Sequence, residues 1–315
     1  MAEKEMRAVY CETLIKLAGK DPRICVVEAD LMKASGTMPF KAAYPDRGID
    51  VGVAEANLIG VSAGLSVAGK IPFAATFGTF ASRRCFDQFF LSANYARLNV
   101  KLTGTDPGIS AIFNGGTHMP FEDIGMMRLI PGLAILEPSD PVSLEKLTEK
   151  CAAHYGCTYM RLYRKPVTPI YKPEETFSLG QGKLLRDGND VAIIALGAIL
   201  VPEAVKAAQL LEKQGVSAAV IDILSVKPLD RKLILDYAEK TGCIVTAENH
   251  QIAGGLGGAV AELLSAEKPV PVAMVGVHDE FGQVGTQDWL KEYYKLTAEE
   301  IEKQALRLVL NKRGK

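Results

Sequence analysis

Short apolar runs alternate with longer segments of helical period along almost the whole chain, and that alternation leaves few folds open. ICVVEA (24–29), PFAATF (72–77) and TYMRLY (158–163) are apolar almost throughout, as strands covered by helices on both faces must be. Parallel strands require crossovers, and the segments between these runs read as helices, so the chain is predicted to be α/β. IDVGVA (49–54), NVKLTG (99–104) and LAILEP (133–138) complete the strand candidates of the first half. MRAVYCETLIKLAG is predicted as an opening helix that ends near Gly19. DPVSLEKLTEKCAAHYG is predicted as another, with Asp140 as its cap and Pro141 in its first turn.

The pattern breaks at PVTPIYKPEETFS (166–178), where three prolines oppose both helix and central strand. We therefore expect a first domain over 1–166, a linker over 167–180 and a second domain over 181–315. In the second, DVAIIALG, SAAVIDIL, GCIVTAEN and VPVAMVGV are the expected strands. VPEAVKAAQLLEKQG, a segment from Leu229 and the closing TAEEIEKQALRLVLNKRG are the expected helices. The fold class expected is two three-layer α/β/α domains.

Several function classes lose their entry points. Thirty-six basic side chains against thirty-seven acidic ones leave a net charge of −1, which gives no general attraction for nucleic acid or an anionic membrane. No apolar stretch is long enough for a signal or a membrane span, and the six cysteines show no CxxC spacing, so a cytoplasmic location is expected. The four histidines form no metal-ligand pattern, and no GxxxxGK[ST] or HExxH occurs. AGGLGGAVAELL (253–264) invites a dinucleotide reading, but Glu248, Asn249, His250 and Gln251 separate it from the preceding strand; a tight helix entry near an interface fits better.

Four segments carry candidate chemistry. In IDVGVAEANLIGVSAGLSVAG (49–69), Glu55 follows a strand-like run and opens a helix of small residues. That places it where open α/β sheets bind ligands, and burial disfavours the ionised form of such a carboxyl, which suits a proton-sharing acid; a helix cap is the plain alternative. FGTFASRRCFDQFF (77–90) offers the rings of Phe77 and Phe80 to a planar ligand and adds Arg83 and Arg84, which can pair with nearby acids. TDPGISAIFNGGTHMPFED (105–123) is a long glycine-rich loop with His118, suited to shaping a site. MRLYRKP holds Arg161 and Arg164 at a strand end, where an arginine fork can grip an anion or form an ion pair. His154 is expected only to pack, and His250 and His278 to lie in strand-end loops of the second domain, where they could help form an interface.

Taken together, VEAD (27–30), GVAEANLIGVSAGLS (52–66), TFGTFAS (76–82), NGGTHMPFED (114–123), IPGLAILEPSD (130–140), ENHQIAGGLGGAVAELL (248–264) and HDEFGQVG (278–285) resemble the C-terminal half of transketolase, in order and through essentially all 315 residues. The resemblance extends toward deoxyxylulose-phosphate synthase. It implies a thiamine-diphosphate pyrimidine-binding fold followed by the family's C-terminal domain. The family's diphosphate-binding domain, with its GDG segment and Mg²⁺-binding Asn, has no counterpart among these residues. A split enzyme is therefore expected, in which a separate subunit holds most of the thiamine diphosphate and Mg²⁺. Two such chains and two partner chains would form a heterotetramer with two composite sites.

By the same resemblance, Glu55 matches the glutamate that hydrogen-bonds N1′ of the aminopyrimidine and favours the tautomer that activates the thiazolium. Phe80 matches the ring stacked on the pyrimidine, Phe77 an aromatic beside it, and Asp30 a cofactor-side aspartate near the thiazolium. His118 matches a histidine near substrate oxygens, while Arg7 and Arg164 match arginines that hold a sugar phosphate. Asn114 stands in place of an aspartate that contacts the donor's hydroxyl, Asp106 in place of a phosphate-contacting histidine, and Arg83 in place of an aromatic; THMP replaces THQP. The activity implied is transfer of a two-carbon ketol unit between sugar phosphates, as in the pentose phosphate pathway. The rival readings are a β subunit of a 2-oxo acid dehydrogenase or another carboligase, and, in a different class, a non-catalytic interaction or regulatory subunit.

Overall fold

The structure, a computed structural model, describes residues 4–314. Its strands are β1 (Ile24–Glu28), β2 (Gly48–Asp50), β3 (Ile71–Phe77), β4 (Lys101–Thr105), β5 (Ala134–Leu136), β6 (Thr158–Leu162), β7 (Lys183–Arg186), β8 (Val191–Ala195), β9 (Ala218–Asp222), β10 (Ser225–Lys227), β11 (Ile244–Gln251) and β12 (Val272–Val277). They form a seven-stranded sheet of order β10-β5-β6-β4-β3-β1-β2 and a five-stranded sheet of order β12-β11-β8-β9-β7. Every strand expected from the sequence is present. IDVGVA contributes only Ile49 and Asp50 to β2, because Gly52 takes a φ of +73° and turns the chain toward the next helix.

The apolar runs are explained by two cores, one on each side of the sheets. β1, β4, β6, β8 and β9 are buried along their whole length. In β8, Val191, Ile193 and Ala195 enter one core while Ala192 and Ile194 enter the other, the two-residue period of a strand with no solvent face. Helix Met6–Lys20 packs against helix Pro141–Ala153, and helix Gly197–Lys213 against helix Ala298–Arg313, over one core. Helices Glu55–Val67, Arg231–Thr241 and Leu256–Glu267 contribute to the other. The three-layer arrangement follows for both halves.

Two strands escaped the sequence reading. β7 is a short antiparallel edge with mostly half-buried residues. β10 belongs by sequence to the second half but pairs antiparallel with β5 of the first sheet. SAAVIDIL reads as one continuous strand, yet Leu224 adopts φ +55° and the chain crosses to the other sheet, where β10 covers the edge that β5 would expose. Helix Gly197–Lys213 also begins four residues before the expected start at Val201. Gly197 makes that possible: its φ is +79°, and a Cβ there would collide with the Glu137 carboxylate.

The proline-rich segment is irregular, as expected, but it is tied down. Asp140 caps helix Pro141–Ala153 by accepting from the Ser143 N–H at 2.7 Å. Its other oxygen accepts from the N–H groups of Ile170 and Tyr171 at 2.9 and 3.0 Å. The Tyr171 hydroxyl then donates to Asp222 Oδ2, 2.7 Å away at the end of β9.

A buried ion cluster joins the two sheets. Arg161, on β6, is fully buried and donates to Asp123 Oδ2 at 2.9 Å and Glu137 Oε2 at 2.5 Å. Its remaining nitrogen donates to the carbonyls of Asn249 at 3.0 Å and Pro120 at 3.3 Å, and Tyr159 donates to Asp123 at 2.7 Å. Arg161 therefore takes the ion-pair reading open to it in the sequence. Arg161→Met leaves two buried carboxylates without a cation, and a loss of about 3–5 kcal/mol is expected in urea unfolding. A loss below ~1 kcal/mol would make the cluster no stronger than a surface pair.

Candidate active site

The candidate residues gather at the C-terminal ends of β1, β2, β3, β4 and β6. Asp50 ends β2, and its Oδ1 accepts from the N–H groups of Asp30 at 2.9 Å and Gly52 at 3.0 Å. That one carboxylate ties the exit of β1 to the turn before Glu55. Asp30 is exposed with φ +62°, while Glu55, the first residue of its helix, is only 6% exposed. Arg84 Nη1 donates to Glu55 Oε1 at 2.8 Å, and the same guanidinium lies 3.9 Å over the Phe80 ring. The capping alternative for Glu55 is not realised: the helix start has no side-chain cap.

Phe77 ends β3, and Phe80 lies in the short helix Gly78–Arg83 that follows. Their rings and the His118 imidazole meet edge to face, with centroids 5.9 Å apart for Phe77–Phe80, 5.6 Å for Phe77–His118 and 5.2 Å for Phe80–His118. His118 Nδ1 is 2.9 Å from Thr117 Oγ1. Asn114 ends the 3-10 helix Gly108–Asn114 and is exposed. The loop is held from the second half of the chain: Asn249 accepts from the Ile109 N–H at 3.0 Å and donates to the Pro107 carbonyl at 2.8 Å. Arg161 holds the Pro120 carbonyl. At Gly116 a Cβ would strike the Gly282 carbonyl, so the close passage of the 278–285 loop depends on the missing side chain. Arg83 pairs with Glu122.

Arg7 and Arg164, distant in sequence, converge on one backbone oxygen. The Ala34 carbonyl accepts from Arg7 Nη1 at 3.0 Å and Arg164 Nη1 at 2.8 Å. Each arginine also holds a carboxylate: Arg7 pairs with Glu5 at 2.7 Å and Arg164 with Asp106 at 2.7 Å. Burial pushes the Asp106 carboxyl above its ordinary range, against the pull of Arg164. Below this pair, Glu28 is fully buried and accepts from the hydroxyls of Ser35 at 3.1 Å and Thr37 at 2.6 Å. It anchors the turn that presents Ala34.

The structure thus brings together Glu55, Phe77, Phe80 and His118 in one group, and Arg7, Arg164 and Asp106 in another, with Arg164 5.3 Å over the Phe77 ring. Asn114 and Asp30 lie on the exposed rim. Arg84, Asp50 and Glu28 were not singled out as site residues; only the pairing of Arg84 with a nearby acid had a sequence signal. The AGGLGG segment has its helix N-terminus occupied from within: Glu248 accepts from the N–H groups of Leu256 at 2.6 Å and Gly257 at 2.7 Å, leaving no place for a pyrophosphate. His250 is buried beside Asp123 and Glu248, and burial lowers its pKa to about 4.

With that geometry in place, the similarities to known proteins are informative. The transketolase pyrimidine binding domain family matches residues 2–169, and the transketolase C-terminal domain family matches residues 180–301. A 6-deoxy-6-sulfo-D-fructose transketolase subunit, SqwH, of Clostridium sp. (strain MSTE9) is 50% identical over 97% of this chain and 94% of its own length. One of the subunits of an apulose-4-phosphate transketolase, from Phocaeicola vulgatus, is 35% identical over 96% of this chain and 97% of its own. A solved split-gene transketolase, an inactive beta4 tetramer, superposes with a TM-score of 0.91 at 41% identity, covering 97% of this chain and 98% of that one.

Burial pushes the Glu28 carboxyl up to about 8, from an ordinary 4.5, against the hydroxyls of Thr37 and Ser35. The folded state therefore binds this proton more tightly than the unfolded state. The resulting stabilisation is complete below about 4.5 and is lost as the pH rises through about 8. Unfolding free energy measured from pH 6 to 9 is expected to fall, and Glu28→Gln to make that slope shallower. An unchanged slope in the variant would place the ionisation elsewhere.

Proposed function

The chain belongs to the transketolase family and is a transketolase subunit of the split kind; we propose that it supplies the pyrimidine side of a composite site whose diphosphate side comes from a second subunit. The observation that carries this reading is the group of Glu55, Phe80 and His118 at the strand ends. Among the described residues no donor besides Arg84 reaches the Glu55 carboxylate, so Oε2 is available to a ring nitrogen, and the Phe80 ring is available to a flat heterocycle. These residues fit an aminopyrimidine. Val53, Phe113, Phe281 and Val284, on the segment before Glu55, the His118 loop and the 278–285 loop that packs on it, are exposed, apolar surface suited to cover by a partner. The related beta4 tetramer is described as inactive, which supports the need for a second kind of chain. The assembly proposed is two of each in the cytoplasm, with Mg²⁺ held by the partner.

Thiamine diphosphate, when bound, supplies the nucleophilic carbon and the electron sink for ketol transfer. Glu55 holds the proton shared with N1′ of the pyrimidine, and Phe80 sets the ring plane. Asp30, exposed at the end of β1, would lie toward the thiazolium. His118, with Nδ1 engaged by Thr117, presents Nε2 to substrate oxygens, and Asn114 offers an amide to the donor's hydroxyl. Arg7 and Arg164 take the charged end of the sugar. That role keeps this reading ahead of a 2-oxo acid dehydrogenase subunit, which need not grip such a group.

The charged end need not be phosphate. Two arginines balanced by Glu5 and Asp106 attract a dianion less than two free cations would. A singly charged sulfonate suits this balance, and the 50% identical relative acts on a sulfonated ketose. The substrate class proposed is therefore sugars with an anionic terminus, a sulfonated donor and a sugar phosphate acceptor first among them.

The test is coexpression with a diphosphate-binding partner, followed by assays with thiamine diphosphate and Mg²⁺. Two-carbon transfer from 6-deoxy-6-sulfo-fructose or xylulose 5-phosphate, by the mixed complex alone, is the expected result. Pyruvate decarboxylation without ketose transfer would overturn it. Glu55→Gln should lower kcat by roughly 10²–10⁴-fold while leaving the fold intact by circular dichroism. Asp106→Asn keeps a residue tolerant of its φ of +58° and removes one negative charge. It should raise kcat/KM for a phosphate-terminated donor over a sulfonated one by roughly tenfold, ~1.4 kcal/mol. An unchanged ratio would show that Asp106 does not set the preference.

A further inference from the structure

We propose that Arg84 is a positioning residue of the pyrimidine site, holding Glu55 and Phe80 in the mutual arrangement that the cofactor ring meets. The proposal rests on the function argued above and adds a residue which that function did not require.

The contact joins two separate elements. Phe80 and Arg84 are four residues apart, so the guanidinium reaches its ring across one helical turn. Glu55 opens a different helix, after a different strand, 29 residues earlier. The guanidinium touches both: Nη1 is 2.8 Å from Oε1 and Cζ is 3.9 Å from the ring centroid. The Glu55 side chain is 7% exposed and that of Arg84 51%, so the cation reaches a buried carboxylate from the open side of the site. It engages one oxygen and leaves Oε2.

Such an arrangement sets the geometry of the carboxylate. A carboxylate free to rotate would present its oxygens to the ring nitrogen in many orientations; one anchored through Oε1 presents Oε2 in few. An arginine suits the position because its planar fork donates at its edge while its face lies on an aromatic ring. Exposed ion pairs contribute little in water, but a partner subunit that covers the site excludes water and strengthens this one.

The test uses the reconstituted complex with its diphosphate-binding partner, comparing wild type, Arg84→Ala and Arg84→Lys. Arg84→Ala is expected to raise the Kd for thiamine diphosphate roughly tenfold and to change the near-ultraviolet circular dichroism that distinguishes the tautomers of the bound pyrimidine. Arg84→Lys, which keeps the charge, should restore the tautomer signal in part. Equal affinity and an identical spectrum in Arg84→Ala would overturn the proposal. Tighter binding in Arg84→Ala would also overturn it, because Arg84 would then compete with the cofactor for Glu55 and Phe80. A wild-type complex that binds no thiamine diphosphate would instead reject the function on which the proposal rests. Thermal unfolding of the three isolated chains separates either result from misfolding: equal midpoints attribute the change to the site, and a lowered midpoint in Arg84→Ala with full affinity counts against the proposal.

Discussion

A guanidinium with no access to solvent holds the two halves of this molecule in register. Arg161 rises from β6 of the first sheet, and its four hydrogen bonds run to Asp123, Glu137, the Pro120 carbonyl and the Asn249 carbonyl. Burying three charged groups is costly, and their mutual attraction offsets the cost only while the geometry is kept. The neighbourhood is accordingly crowded: Gly197 lacks a Cβ where Glu137 lies, and Tyr159 adds a second donor to Asp123 Oδ2. Because Asn249 comes from β11, the relative position of the sheets is specified by hydrogen bonds as well as by the apolar cores that pass between them.

The same junction builds the site. The loop after β4 carries Asp106, Asn114 and His118 and has little regular structure of its own. Its conformation comes from Asn249 at one end, Arg161 at the other and the passage of Gly282 over Gly116. His118 reaches Phe77 and Phe80 because a second-half scaffold holds its loop against the first sheet. Function and interdomain packing are in this sense one problem, and the residues that solve it are spread over most of the chain.

Charge in the site is organised by pairing. Four arginines of the candidate site each hold a carboxylate: Arg7 has Glu5, Arg164 has Asp106, Arg83 has Glu122 and Arg84 has Glu55. A site so balanced relies on direction more than on net attraction, since a fork aimed by a fixed partner loses less freedom on binding. The Ala34 carbonyl, gripped from two sides and anchored by Glu28 below, does for the arginines what Asp50 does for Asp30 and Gly52.

Much of this was legible in the amino acids. Strand identity follows from uninterrupted apolar runs, the helix after Asp140 from its cap and proline, and the family from its ordered segments. What the sequence could not express is pairing between elements far apart along the chain. Nothing in KPLDRK or SVK marks β10 as a strand of the other sheet, and nothing near Arg84 names Glu55 as its partner. Arg161 and Arg164, three residues apart, look alike in one dimension; alternation along a twisted strand and its exit sends one into the junction and the other to the site. Local pattern determined the elements, because propensity and burial act on neighbours. Tertiary structure alone decided which charge meets which, because that depends on distances that only the assembled sheets create.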